Sequence, residues 1–182
     1  EVVKSIESYD TTTVRASVGN YLVAKKIAEL GKEKVILNGD GSDEVTGGYI
    51  YFLETPNDVA FDAECRRLVE NIHYFDVLRS DRSISSHGLE ARTPFLDKQF
   101  VDLYLSIPPE KRCHTTQGFC EKYLLRSAFD KKLIPDSVLW RTKEAFSDGV
   151  SNKARSWYEI IDEKISEKYG DTFDEISELY KR

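Results

Sequence analysis

Long apolar runs are missing from this sequence: none approaches the ~20 residues that a membrane-spanning helix requires. A basic excess is missing too. Lys and Arg total 26 against 32 Asp and Glu, a formal net charge of -6. That argues against nucleic acid as the main partner, because phosphate-backbone binding calls for a basic face. Cysteine is scarce. Cys65, Cys113 and Cys120 contain no CxxC pair, which favours free thiols in a reducing compartment. They read as buried small apolar side chains. His73, His87 and His114 are scattered and make no metal-ligand pair. With 10 glycines and 5 prolines, the chain is not dominated by linkers. The first residues, EVVKSIESYD, lack the basic start and apolar core of a signal peptide. They begin at Glu1 rather than Met, so a segment of something longer is expected.

What is present suits a soluble globular domain with a real core: 182 residues, 40% hydrophobic and 32% charged. Residues 1–9 read as the end of a helix, and YDTTTVRAS as a polar loop. Apolar periodicity predicts a helix over 18–30, ended by Gly31. KVILN, residues 34–38, is short and aliphatic, as a fully buried strand is. Residues 49–52 are aromatic and apolar. Cys65, Leu68, Val69, Ile72, Phe75 and Leu78 form one stripe, which predicts a single long helix over 58–81. ARTPF is extended before Pro94, a helix follows through Phe100 and Leu105, and another lies within 118–130. Turns are expected at Pro135 and at Asp148–Gly149. The tail, 151–182, is amphipathic, with Trp157, Ile160, Ile161, Ile165, Phe173, Ile176 and Leu179, and Gly170 splits it. One strand cannot satisfy its own backbone groups. Its sheet is therefore expected to lie outside these residues. The fold class is α/β, mostly helical.

Chemistry concentrates in three stretches. The first is NGDGSDEVTGGY, residues 38–49, directly after the strand. It has no Lys for a Walker A loop, no third glycine for GxGxxG, and the wrong spacing for an EF-hand. What remains is a carboxylate cluster, Asp40, Asp43 and Glu44, at the place where open α/β sheets bind ligands. Such carboxylates serve a nucleotide through Mg²⁺ or take a proton from an amine. The plain alternative is an acidic surface turn. The second stretch, RSDRSISSHGLEARTPFLD at 79–97, sets Arg79, Arg82 and Arg92 beside Asp81, Glu90 and Asp97. It reads either as weak surface pairs or as a network that orients something. The third, WRTKEAFSDG at 140–149, places Lys143 among aromatic and turn residues, where a solvated Lys is the simpler reading.

Together and in this order, the three stretches resemble the synthetase domain of the glutamine-dependent asparagine synthetase family. SYDTTTVRAS and FDVLRSDR resemble family segments as well, and the likeness spans about 6–150. It implies an adenine-nucleotide α-hydrolase-like (Rossmann-like) parallel-sheet domain followed by helices, of which residues 1–182 are the C-terminal portion. The implied activity is that of an ATP-dependent carbon–nitrogen ligase. Aspartate is activated by Mg-ATP to β-aspartyl-AMP and pyrophosphate, and ammonia then displaces AMP to give asparagine. The ammonia comes from glutamine through an amino-terminal glutaminase domain. A cytoplasmic location is implied, no nucleic acid or membrane, and a homodimer is compatible with it.

Carried onto this sequence, Asn38 and Gly39 touch the nucleotide and Asp43 binds Mg. Asp40 stands where the family has a Glu that serves intermediate formation and receives a proton from ammonia. Lys143 neutralises phosphate charge as pyrophosphate leaves. Thr12, Thr13, Arg15 and Arg79 recognise aspartate, an Arg suiting its carboxylate. Four departures stand out. Asp40 replaces the Glu of the family loop SGEGSDE, and Asn38 replaces its Ser. ASVGNYL stands in place of a Thr-Pro pair. No SGGLDSS-like pyrophosphate loop occurs in these residues, so it is expected upstream, and residues 1–182 alone are expected to be inactive. A degenerate nucleotide- or partner-binding relative, or a ligase like β-lactam synthetase with another acceptor, are the alternatives.

Overall fold

The structure is a computed structural model. It describes residues 1–129, 133–144, 146, 155–170 and 172. They belong to two compact units, 1–143 and 144–182.

The first unit opens with helix α1 (Val2–Ile6) and the longer α2 (Thr11–Leu30). The expected loop at YDTTTVRAS is instead largely helix. Asp10 adopts an extended conformation, and its carboxylate accepts the Thr13 backbone N–H at 2.7 Å. That N-cap outweighs the modest helix propensity of three threonines. Gly31, at φ +68°, ends α2 as expected, donating its N–H to the Ala28 carbonyl.

Strand β1 (Val35–Leu37) follows, and it is not alone. It pairs in parallel with β2 (Glu90–Arg92), in the register Val35–Glu90, Ile36–Ala91, Leu37–Arg92. The expectation that β1 finds no partner within these residues is therefore corrected. So is the expectation of a fully buried strand: Val35 is 51% exposed and Leu37 74%, and only Ile36 turns inward. Between the strands runs the helical crossover that parallel pairing requires. It comprises α3 (Ser42–Thr46), a 3₁₀ turn at Ile50–Glu54, α4 (Asp58–Asn71), a second 3₁₀ turn at Ile72–Tyr74 and α5 (Asp76–Ser85).

The single helix expected over 58–81 is thus broken. The break falls at Phe75, with φ −134° and ψ −88°, where no Gly or Pro announces it. Phe75 packs against the core cluster of Phe52, Phe61, Cys65, Leu68 and Cys113 while α5 departs in a new direction. Phe52 and Phe61 are wholly buried there, each contributing about 2–3 kcal/mol. A second cluster, Ala24, Ile84 and Leu89, seats α2 and α5 on the inner face of the sheet with Ile36 and Ala91. Arg82 ties α5 to α1 by donating to the Ile6 carbonyl at 2.6 Å. Cys65 and Cys113 are buried as expected; Cys120 is exposed, contrary to expectation.

After β2 come a 3₁₀ turn at Pro94–Leu96, α6 (Lys98–Ser106) capped by Asp97, α7 (Pro109–Arg112), α8 (Tyr123–Ala128) and α9 (Asp136–Leu139). In the second unit, α10 (Trp157–Tyr169) starts with a capping box between Ser156 and Glu159 and stops at Gly170. Arg155 pairs with Glu163 on it. The Asp148–Gly149 turn and Phe173, Ile176 and Leu179 lie outside the described residues. Among the described residues no helix is long and apolar enough to cross a membrane.

Candidate active site

Around the loop between β1 and α3, Gly41 and Gly48 are fixed by close packing, whereas Gly39 is open. Gly41 has φ +88°, and a Cβ there would stand 2.3 Å from Leu96 Cδ2. The stretch EARTPFL therefore supports the acidic loop twice, through β2 and through Leu96. Gly48 packs equally tightly: its Cβ would fall 2.2 Å from Asp43 Oδ1 and 2.4 Å from Lys122 Cε.

Asp43, on the first turn of α3, lies between two lysines. Lys143 Nζ donates to Oδ2 at 2.7 Å. Lys122 Nζ stands 2.8 Å from Oδ1, in an ion pair without hydrogen-bond alignment, and donates instead to Ser42 Oγ at 3.0 Å. Burial acts to raise the Asp43 carboxyl, but the two ammonium groups outweigh it and hold it below the ordinary range. Lys143 also lies 5.8 Å from the centre of the Tyr49 ring. Its segment is anchored nearby. Arg126 donates to the Leu139 carbonyl, and Trp140 packs on Tyr123 with ring centres 5.9 Å apart.

Tyr49 joins α3 to α5. Its hydroxyl contacts Glu44 Oε1 and, at 3.1 Å, Asp76 Oδ2. One phenolic proton cannot serve two carboxylates fully. Burial pushes Glu44 up to about 7, with Asp76 and Asp43 adding to the rise against the Tyr49 hydrogen bond. Burial and Glu44 push the Tyr49 phenol far upward. Arg79 closes the chain by pairing with Asp76 Oδ1 at 2.5 Å.

Asp40 sits at the other end. Burial raises its carboxyl, the Ser80 hydroxyl opposes that, Asp76 adds to it, and Arg79 and Asn38 oppose it. Asn38 Nδ2 donates to Asp40 Oδ2 at 3.0 Å, and the Asp40 N–H donates to Asn38 Oδ1 at 3.0 Å.

The site residues predicted from sequence thus gather in part. Asn38, Gly39, Asp40, Asp43, Arg79 and Lys143 converge around the β1–α3 loop. Thr12, Thr13 and Arg15 stand on the first turns of α2, the helix that packs along α5. The stretch at 79–97, read either as surface pairs or as an orienting network, divides between the two: only Arg79 faces the site. Arg82 serves α1, and Arg92 pairs with Glu90 at 2.7 Å, both 61% exposed. Sequence reasoning missed Lys122 and Asp76. The Asp76–Arg79 spacing on a helix was a usable signal. Lys122 offers none, since only the fold brings it 79 residues back to Asp43.

The unit is of the mostly helical α/β class, and its glycine-bounded acidic loop, faced by two lysines, lies at the end of a parallel strand, where open α/β sheets bind ligands. The family model described as asparagine synthase matches residues 1–60 and 53–177. The chain is 49% identical over 172 residues to the asparagine synthetase [glutamine-hydrolyzing] of Homo sapiens and to that of Pongo abelii, and 48% identical to that of Gallus gallus. Each match covers 94% of this chain and 30% of the relative. The chain belongs to the asparagine synthase family. It spans just under a third of the length of these relatives.

Proposed function

We propose that these residues are the C-terminal portion of the synthetase domain of an ATP-dependent ligase that converts aspartate to asparagine through β-aspartyl-AMP. Ammonia reaches it from glutamine through a separate glutaminase domain. The observation that carries the reading is Asp43 held between Lys122 and Lys143 beside the glycine-bounded loop. Mg-ATP suits that arrangement. Its phosphates are anions for both lysines, and Asp43 would hold its cation. Among the described residues no three His, Cys, Asp or Glu converge on one metal position. Mg²⁺ needs no such cage, because it takes one or two carboxylates with phosphate oxygens and water. Asp43, ionised and with Oδ1 lacking an aligned hydrogen bond, fits as its protein ligand. When bound, the ion would neutralise phosphate charge and orient the α-phosphate.

The remaining roles fall to this chain's own groups. Asn38 and Gly39 line the nucleotide. Lys143 and Lys122 neutralise the charge that accumulates on departing pyrophosphate. Arg79, with its planar fork of donors, binds a carboxylate of aspartate together with Thr12, Thr13 and Arg15. Asp40 accepts a proton as ammonia attacks the aspartyl carbonyl. The domain fold is that of an adenine-nucleotide α-hydrolase, with further strands and a pyrophosphate loop supplied from outside residues 1–182. The test is product analysis of the full-length protein with ATP, Mg²⁺, aspartate and either ammonia or glutamine. Asparagine, AMP and pyrophosphate in equal amounts are expected. Pyrophosphate without asparagine would overturn the choice of acceptor.

A further inference from the structure

We propose that Asn38 is a positioning residue for Asp40: its side-chain amide clamps both the carboxylate and the backbone N–H of Asp40, and the two residues work as a unit. The inference rests on the reading above for its chemical purpose. Asn38 is the last rung of the sheet: its backbone N–H donates to the Arg92 carbonyl at 2.9 Å. Its side chain then spends both polar ends on one residue. Nδ2 holds Asp40 Oδ2 and Oδ1 holds the Asp40 N–H, each at 3.0 Å. Between them Gly39 has no neighbour within 4 Å of where a Cβ would stand. Packing holds this loop at Gly41, against Leu96, and not at Gly39. The carboxylate is set by Asn38 from the strand side and by α5 from the other, where Ser80, Arg79 and Asp76 face it.

The clamp demands both residue types. An Asn amide offers a donor and an acceptor on opposite sides of one plane; a Ser hydroxyl is shorter and has a single proton. A Glu at position 40 would carry its carboxylate about one methylene, on the order of 1 Å, past the amide. Each substitution alone breaks the geometry, so the second has little left to remove.

The experiment compares the full-length wild type with Asn38→Ser, Asp40→Glu and the double variant. Aspartate-dependent pyrophosphate release is measured alongside the titration of the Asp40 carboxyl by ¹³C NMR, assigned with Asp40→Asn. Each single variant should lose ~10-fold in kcat with KM for ATP little changed, and the double should lose no more than about the larger single loss, because the two residues work as a unit. Asn38→Ser should also raise the Asp40 pKa, because the charged form loses a donor. Losses that simply multiply in the double variant, or a gain in Asp40→Glu alone, would overturn the clamp. If the wild type releases no pyrophosphate, the proposed function fails by itself. The titration then decides the clamp: an upward shift in Asn38→Ser sustains it and an unmoved Asp40 refutes it.

Discussion

Two regions of the first unit bury charge, and they do so differently. Beneath α4 and α7, Arg112 is entirely buried and has one carboxylate: it pairs with Asp62, which the exposed Arg66 also holds at 2.8 Å, and donates Nε–H to the Ile107 carbonyl at 2.8 Å. Around it, Tyr104 Oη and both His114 ring nitrogens have no hydrogen-bond partner among the described residues. At the β1–α3 loop the charged groups share partners within the buried site. Two lysines meet on Asp43, one tyrosine serves Glu44 and Asp76, and Arg79 faces both Asp76 and Asp40. A buried Arg with one carboxylate fixes a fold, because removing that carboxylate strands a buried charge. Under the proposed function, the shared partners of the loop would be redistributed when a polyanion and a cation bind. On that reading the first region serves stability and the second exchange.

If that contrast holds, activity and stability should separate by region. The largest effect is expected for Lys143→Ala. Pyrophosphate release should fall by roughly 10³-fold, as for loss of a charge-stabilising donor, while the thermal midpoint barely moves. Lys122 would retain Asp43 but not the second positive charge. Asp62→Ala should do the reverse. It leaves the Arg112 guanidinium buried and unpaired, at a cost of about 3–5 kcal/mol in urea unfolding, with turnover per folded molecule unchanged. Gly48→Ala sharpens the comparison from within the loop. Its new methyl would displace Asp43 and Lys122 together, and a shift near 1 Å should cost about 100-fold or less in activity.

The smallest effect concerns His114. Burial holds this imidazole below its ordinary pKa of 6.5, against the pull of Glu121. Its unfolded form therefore takes a proton first as the pH falls. Stability present above about 6.5 should be lost below it, by no more than about 1.4 kcal/mol per pH unit. His114→Phe should flatten that slope in pH-dependent denaturation.

Part of the candidate site was legible before the fold. Glycine-bounded acids after an aliphatic run mark Asp40, Asp43 and Glu44, whereas Lys143 reads as a solvated Lys until the family resemblance picks it out. Lys122 was not legible, because its role depends on a contact across 79 residues and on no local pattern. Strand β2 was equally hidden: Glu-Ala-Arg carries no β-branched or aromatic residue, and it is a strand only because β1 pairs with it. The start of α2 was legible in principle from Asp10 and Thr13, yet β-branching argued the other way. The break at Phe75 was not, since the apolar stripe runs through it and tertiary packing alone turns the chain.

The central claim is that the acidic loop is the metal- and adenylate-facing half of a ligase site. Its most direct test is ATP–pyrophosphate exchange in the full-length protein, with and without aspartate, for the wild type and Asp43→Asn. Aspartate-dependent exchange is expected in the wild type, falling by ~100-fold or more in Asp43→Asn when the metal-binding charge is removed. Exchange that ignores aspartate, or an Asp43→Asn variant as active as the wild type, would contradict it.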